Sequence, residues 1–188
     1  MARLIVTEFV SLDGVMEAPG GEPGYAHTNW VSDLFSDELF AYKLDEQLSA
    51  DILLLGRRTY ESFFGAWPHR EGAMADKINT MPKYVASTTL RSLDWDTARL
   101  LEGPVPQAVA DLKDGTEGTI LVIGSRTLAQ TLLRAGLVDQ LRLQVFPLIL
   151  GSGLRLYPES EDKTALRLTS SRALTSGVVL QSYEPRRP

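Results

Sequence analysis

Twice in this chain of 188 residues a continuous apolar run ends in a glycine and turns at once into a helix-forming segment. The first run is Asp51-Ile-Leu-Leu-Leu-Gly56, followed by Arg57, Arg58, Thr59 and Tyr60. The second is Thr119-Ile-Leu-Val-Ile-Gly124, followed by Ser125, Arg126, Thr127 and Leu128. A short apolar run without polar alternation is the mark of a strand covered on both faces, and such strands belong to parallel sheets flanked by helices. Few other folds accommodate two of them.

The surrounding pattern supports the same class. Leu4 to Val10 is β-rich. A helix is expected from Ser32, with Ser32 as its cap, Asp33 in its first turn, and Phe40, Leu44 and Leu48 as its buried stripe. Tyr84 to Ser87 reads as a strand after Pro82. Val105, Val109 and Leu112 mark a helix closing at Gly115. Residues 126 to 135 form another, with Leu128, Leu132 and Ala135 on one face and Gly136 just past its end. The period then changes. Leu141, Leu143 and Val145 alternate with Arg142 and Gln144, and residues 166–174 and 178–183 read as an antiparallel hairpin around Ser176-Gly177. Strands and helices alternate first, and strands alone follow. The expected architecture is an α/β three-layer sandwich with a mostly parallel central sheet and antiparallel C-terminal strands, built as one domain over 1–188.

Bulk properties exclude several function classes. A net charge of -5 argues against general affinity for nucleic acid or an anionic membrane. The chain has no cysteine, which removes disulfides, thiolate metal sites and cysteine nucleophiles. His27 and His69 lie far apart with no carboxylate at metal-ligand spacing, so no metal is expected. No signal-peptide architecture or membrane span is legible, and a cytoplasmic protein is the expectation.

An anion site must therefore be local, and the two glycine turns can supply it. Ligands of open α/β sheets bind at the carboxyl ends of the strands, where helix N-termini point free N–H groups at anions. At each turn glycine admits close backbone approach, a basic residue follows, and Thr59, Ser125 or Thr127 can bond a phosphate oxygen. Ser87-Thr88-Thr89 adds hydroxyls at a third strand end. Charge-assisted hydrogen bonds contribute about 1.5–3 kcal/mol each, so two or three could give micromolar phosphate recognition. Neither the G-x-G-x-x-G fingerprint nor a Walker pattern occurs.

Gly56 to Ser62 (GRRTYES), Val85 to Leu90 (VASTTL) and Val122 to Gln130 (VIGSRTLAQ) resemble the dihydrofolate-reductase-like superfamily. Val10 to Glu17 (VSLDGVME) and PLILGSGLRLYP (147–158) resemble its branch around the reductase domain of the riboflavin-biosynthesis deaminase-reductase. The resemblance covers nearly the whole chain. It implies NADPH as hydride donor, a small heterocyclic substrate that could be of the 5-amino-6-(5-phosphoribosylamino)uracil type, and a homodimer. By position it implies Gly56, Arg57, Arg58 and Thr59 near the cofactor phosphates, and Ser87 and Thr88 near the adenosine 2′-phosphate. Gly124, Ser125 and Leu128 would border the pyrophosphate and the nicotinamide. No acid falls on the first helix where a pterin needs one, and Thr7 and Val15 stand where relatives carry lysine. Ser125 would have to tolerate strain if the Gly124–Ser125 peptide were cis, as in some relatives.

Asp13 opens the Gly- and Pro-rich stretch 13–30 beside the expected nicotinamide pocket and is the candidate proton relay; its alternative is a turn with Gly14. Trp30 and Tyr60 are candidate walls for a flat substrate, while Phe63 and Phe64 fit a core at helical spacing. Asp45 and Glu46 are expected on a solvated helix face, and Arg186 and Arg187 in an exposed tail. The competing function is a nucleotide- or drug-binding protein without turnover.

Overall fold

The computed structural model describes residues 1–157 and 163–186. Pro158, the end of one quoted motif, and Arg187 of the tail lie outside the described residues. The described residues form eight strands: β1 (Arg3–Ser11), β2 (Ile52–Gly56), β3 (Lys83–Ala86), β4 (Ala98–Leu100), β5 (Thr119–Ile123), β6 (Gln140–Phe146), β7 (Leu166–Ala173) and β8 (Val179–Pro185). Five α-helices accompany them: α1 (Asp37–Leu48), α2 (Arg57–Ala66), α3 (Ala73–Thr80), α4 (Val105–Gly115) and α5 (Arg126–Arg134). The strands form one sheet in the order β4-β3-β2-β5-β1-β6-β8-β7. The pairs β2–β3, β2–β5 and β3–β4 are parallel, and β6–β8 and β7–β8 antiparallel. The expected α/β class, with a mostly parallel sheet and antiparallel C-terminal strands, is observed.

The residues group into two compact units. The first comprises 1–6 and 42–139. Its central strands β2 and β5 are largely apolar, and Leu53, Leu54, Leu55, Ile120, Leu121 and Val122 are completely buried. Leu53, Leu55, Val85 and Leu121 join Ile78, Met81, Tyr60 and Trp95 in one cluster, against which Phe63, Phe64 and Trp67 pack half-buried. The two phenylalanines thus serve the core. The chain start is fastened by Lys113, whose ammonium donates to Leu137 O (2.7 Å) and Asp139 Oδ2 (2.6 Å), while that carboxylate accepts Leu4 N (2.8 Å).

Lys83 opens β3 with no exposed surface. Its Nζ donates to Met81 O and Thr97 Oγ1, both at 2.8 Å, and to Asn79 O at 3.4 Å, and it lies 4.1 Å from the Trp95 ring centroid. Burial pulls its pKa from 10.5 down to about 8. The folded protein therefore releases this proton before the unfolded chain does. Stability should rise with pH between about 8 and 10.5, the penalty of burying the ammonium being fully present below that window. In paired denaturant titrations, the stability of Lys83→Met relative to wild type is expected to fall steadily across this interval.

The second unit comprises 7–41 and 140–188. The stretch 13–30 is not free but interleaved with residues 148–156. Leu12 N donates to Leu148 O, Met16 N to Leu154 O and Leu156 N to Gly14 O, and the Tyr25 hydroxyl reaches Ser152 O at 2.6 Å. Gly153, at φ 109°, permits this closeness, since a Cβ there would lie 2.8 Å from both the Tyr25 hydroxyl and Val15 Cγ1. The core centres on Phe146, met edge-on by Phe9 and Trp30 at 5.4 and 5.2 Å. Thr7 is buried against Gln144, whose Nε2 donates to Thr7 Oγ1 at 3.2 Å.

The first helix departs from expectation. Ser32 to Leu34 is only a 3-10 turn, and α1 begins at Asp37, where Ser36 Oγ accepts Leu39 N. Phe35, packed edge-on against Phe9, breaks the chain between them. Phe40 and Leu48 are 46% and 48% exposed, and the buried side chains are Leu39, Lys43, Glu46 and Gln47. Glu46 is not solvated; it pairs with Lys43 on the helix interior. Period alone placed the stripe one residue away from the face that packing selects.

Candidate active site

Parallel pairing places the three strand ends side by side in the first unit. Gly56 is in register with Ala86, and Leu54 with Val122. The turns after β2, β3 and β5 thus share the carboxyl edge of adjacent strands. The turns of β2 and β5 are also bonded to each other. Ser125 Oγ accepts Gly56 N at 2.8 Å and donates to Thr59 Oγ1 at 2.9 Å, while Ser125 N donates to Thr59 Oγ1 at 3.0 Å. Ser125 Oγ also lies 3.2 Å from Ile123 O, a second acceptor for its one proton.

This lock demands unusual backbone. Gly124 and Ser125 both adopt the left-handed conformation, at φ 58° and 59°. For serine that conformation costs about 1–2 kcal/mol, and the hydrogen bonds to Gly56 and Thr59 hold it in place. No described peptide bond is cis, so the strain at Ser125 lies in its dihedrals rather than in the Gly124–Ser125 bond. Gly124 is needed for space as well, because a Cβ would lie 3.3 Å from Thr59 Oγ1. Neither α2 nor α5 has a side-chain hydrogen bond from its N-cap residue, and the first turn of a helix carries N–H groups without intrahelical partners.

The two arginines differ. Arg57 Nη1 contacts both carboxylate oxygens of Glu61, at 3.0 and 3.1 Å, one turn along α2. Arg58 is exposed and has no hydrogen bond or ion pair from its guanidinium among the described residues. Arg58 is the cation free to meet an anion. At the third turn, Ser87 Oγ accepts Thr89 N (3.1 Å) and Leu90 N (2.9 Å), so Ser87 shapes the turn and the exposed Thr88 offers the open hydroxyl. The side chain of Leu128 is buried within α5's inner face, leaving its backbone as the part that could approach a ligand.

Tyr60 lies elsewhere than expected. It is 4% exposed, stacked on Phe64, and its hydroxyl accepts Asp94 N and Trp95 N at 3.0 and 3.3 Å. It holds the 94–95 backbone to the core and presents no wall to a substrate. Trp30 is likewise a core residue of its own unit, 9% exposed, with Nε1 donating to Glu17 O at 2.8 Å. An aromatic residue in sequence looks the same whether its ring is buried or faces a pocket, and the structure corrects both expected walls to core residues.

Asp13 is a carboxylate already spent. Oδ1 accepts from the Ser11 hydroxyl (2.7 Å) and Leu150 N (3.1 Å), Oδ2 accepts Gly151 N (2.9 Å), and Arg155 Nη2 stands 3.6 Å away. The Ser11 hydroxyl does most to lower its pKa, to about 2; partial burial opposes the shift, and the Leu150 and Gly151 amides reinforce it. An acid ionised down to that pH has no proton to relay at neutrality. Asp13 instead staples the 148–151 segment to its own turn. Because its folded pKa is depressed from 3.8, its contribution to stability is present above that value and is lost as pH falls to about 2. Asp13→Asn is expected to be less stable than wild type by about 1–2 kcal/mol at pH 7, with the difference closing between pH 4 and 2 in urea titrations.

Among the described residues no cluster of three or more His, Asp or Glu could hold a metal ion, and no helix is long and apolar enough to cross a membrane. The family profile described as the RibD C-terminal domain matches residues 2–180. The uncharacterized Bacillus subtilis protein YyaP is 28% identical over 186 residues, covering 96% of this chain and 94% of its own. YwjB of the same organism, also uncharacterized, is 24% identical over 174 residues, with 91% of each chain covered. A solved protein from Shewanella sp. PV-4, provisionally named for riboflavin biosynthesis, superposes with a TM-score of 0.75 at 24% identity over the full length of both chains. A pyrimidine reductase-like protein from Corynebacterium diphtheriae superposes at 0.68 with 13% identity, over 100% of this chain and 93% of that one.

Proposed function

The chain belongs to the RibD C-terminal domain family, and from that membership we propose that it is an NADPH-dependent reductase of a small heterocyclic substrate. One observation carries the cofactor assignment: two helix N-termini, locked side by side through Thr59 and Ser125, stand beside an unpaired Arg58. That donor set suits phosphate. Arg58, the Thr59 hydroxyl and the amides after Gly56 would hold cofactor phosphates, and Thr88 with the Ser87 turn would meet the 2′-phosphate. The amides after Gly124 would take the pyrophosphate. Cations and hydroxyls at these turns, with Glu61 already committed to Arg57, favour a phosphorylated ribose over a bare one.

Nicotinamide, when bound, supplies the hydride. The protein's own part is positioning: the left-handed Gly124–Ser125 pair and its hydrogen bonds fix the phosphate turn rigidly, which restricts where the reacting ring can lie. The substrate class follows the family association, a pyrimidine such as 5-amino-6-(5-phosphoribosylamino)uracil. We place the protein in the cytoplasm as a homodimer. In support of self-association, β7 is a sheet-edge strand exposed along nearly all its length, with Leu168 52% exposed.

One observation favours the competing reading of a binding protein without turnover: Asp13, the candidate proton relay, is held ionised and fully engaged. Calorimetric titration with NADPH and NADH tests the cradle. Micromolar NADPH binding with at least about 10-fold weaker NADH binding is the expected result; failure to bind either nucleotide overturns the assignment. Loss of nicotinamide absorbance with a pyrimidine substrate then separates reductase from binding protein.

A further inference from the structure

At the amino-terminal ends of β3 and β4, opposite in strand direction to the glycine turns, lies a cleft of about 280 Å³. It is lined by Thr80, Pro82, Lys83, Tyr84, Asp96, Thr97 and Arg99. Its polar groups divide into two sets. Lys83 and Thr97 are satisfied from within: Lys83 Nζ is bonded to Met81 O, Asn79 O and Thr97 Oγ1, and Thr97 Oγ1 in turn donates to Asn79 O at 3.2 Å. Asp96, Arg99 and the Tyr84 hydroxyl have no partner among the described residues. Tyr84 and Arg99 stand opposite each other in the β3–β4 register, so their side chains share one face of the sheet.

The charges decide the ligand class. Lys83 is fully buried, yet every atom it contacts is neutral, so its positive charge is not cancelled locally. Lys83 precedes Tyr84 on β3 and so points to the opposite face of the sheet, which leaves Arg99 as the cation of the cleft that can meet one negative group. Asp96, at the same cleft, repels a second negative charge and attracts a cation. A monoanion carrying an amine matches this arrangement, whereas phosphate, with nearly two charges, does not. The volume suits a molecule of amino-acid size rather than a nucleotide.

We propose that this cleft is a second binding site, for a small zwitterion of the α-amino-acid class, its carboxylate on Arg99 and the Tyr84 hydroxyl and its ammonium on Asp96. The site does not involve the phosphate-binding turns, and it stands whether or not the protein proves to be a reductase.

Trp95 provides the reporter, since it directly precedes the cleft-lining Asp96 and its ring lies 4.1 Å from Lys83 Nζ. Wild-type protein is titrated with L-alanine, L-leucine, acetate and inorganic phosphate, following Trp emission and melting temperature. Expected is saturable binding of one or both amino acids at about millimolar concentration, at least about 10-fold tighter than acetate or phosphate. Arg99→Ala should abolish it, and Asp96→Asn should remove the preference for amino acid over acetate. Trp95→Phe should lose the emission change while keeping the shift in melting temperature. Non-saturable stabilisation equal in Arg99→Ala, or phosphate binding tighter than either amino acid, overturns the proposal. NADPH titration of Arg99→Ala should match wild type; a parallel loss would assign the cleft to the cofactor and overturn it as well.

Discussion

Replacing Arg58 by alanine is expected to weaken NADPH binding by about 10- to 100-fold, the equivalent of one or two charge-assisted hydrogen bonds to phosphate. Replacing Arg57 should cost about 3-fold or less. Adjacent arginines of identical type differ because one has a partner: Glu61, four residues on, occupies both directions of approach to Arg57 Nη1, while Arg58 is free. A sharper form of the test removes the competitor. In Glu61→Gln the Arg57 guanidinium is released, and NADPH affinity should rise by a few-fold. Raising the salt concentration should weaken binding to wild type more than to Arg58→Ala, since both cation and ligand are solvent-accessible. Equal losses in Arg57→Ala and Arg58→Ala would show that Glu61 yields its partner on binding. No loss in either would remove α2 from the phosphate site.

Gly124→Ala is expected to destabilise the protein by about 2–3 kcal/mol, with a fall of roughly 5–10 °C in melting temperature. Two costs combine. An alanine at φ 58° accepts left-handed strain, and its Cβ at 3.3 Å from Thr59 Oγ1 pushes on the hydroxyl that receives Ser125 N. The second cost reaches the site, so cofactor binding should weaken beyond what the loss of stability explains. Gly65→Ala is the control with opposite sign. It lies exposed within α2 with nothing within 4 Å of an added Cβ, and it should gain about 0.5–1 kcal/mol. Thermal melts of both variants check the pair. A neutral Gly124→Ala would mean that the Thr59–Ser125 lock gives way easily and does not define the turn.

The proposed reductase and the proposed zwitterion cleft lie at opposite ends of the same strands. β3 runs from Lys83, buried without a counter-ion, to Ala86, beside the phosphate turns. Three residues span only about 10 Å, so one strand connects two chemically unrelated environments. Lys83→Met and Arg58→Ala should accordingly act independently on stability and on nucleotide affinity.

Some features of this protein were determined by its sequence alone, because they depend on near neighbours. The apolar runs 52–55 and 120–123 had to be doubly covered strands, and every residue of them but the half-buried Ile123 is buried. The glycines that end them, the helices that follow and the alternating 141–145 strand need only local periodicity and turn chemistry. The Arg57–Glu61 pair is likewise local, at i and i+4 on α2. Other features required partners distant in sequence. Ser125 meets Thr59 across 66 residues, and Asp13 meets Gly151 across 138. Nothing at either position signals that its hydrogen-bonding capacity is already taken. The face of α1 shows the same limit. Phe40 and Leu48 satisfy a helical stripe, yet the helix buries Lys43 and Glu46 as an ion pair and leaves both apolar residues exposed. Local pattern determined which elements form and where anions could be met. Only the tertiary structure decided which side chains remain free to meet them, because a hydrogen-bonding group has few valences and folding can spend them far from their place in the chain.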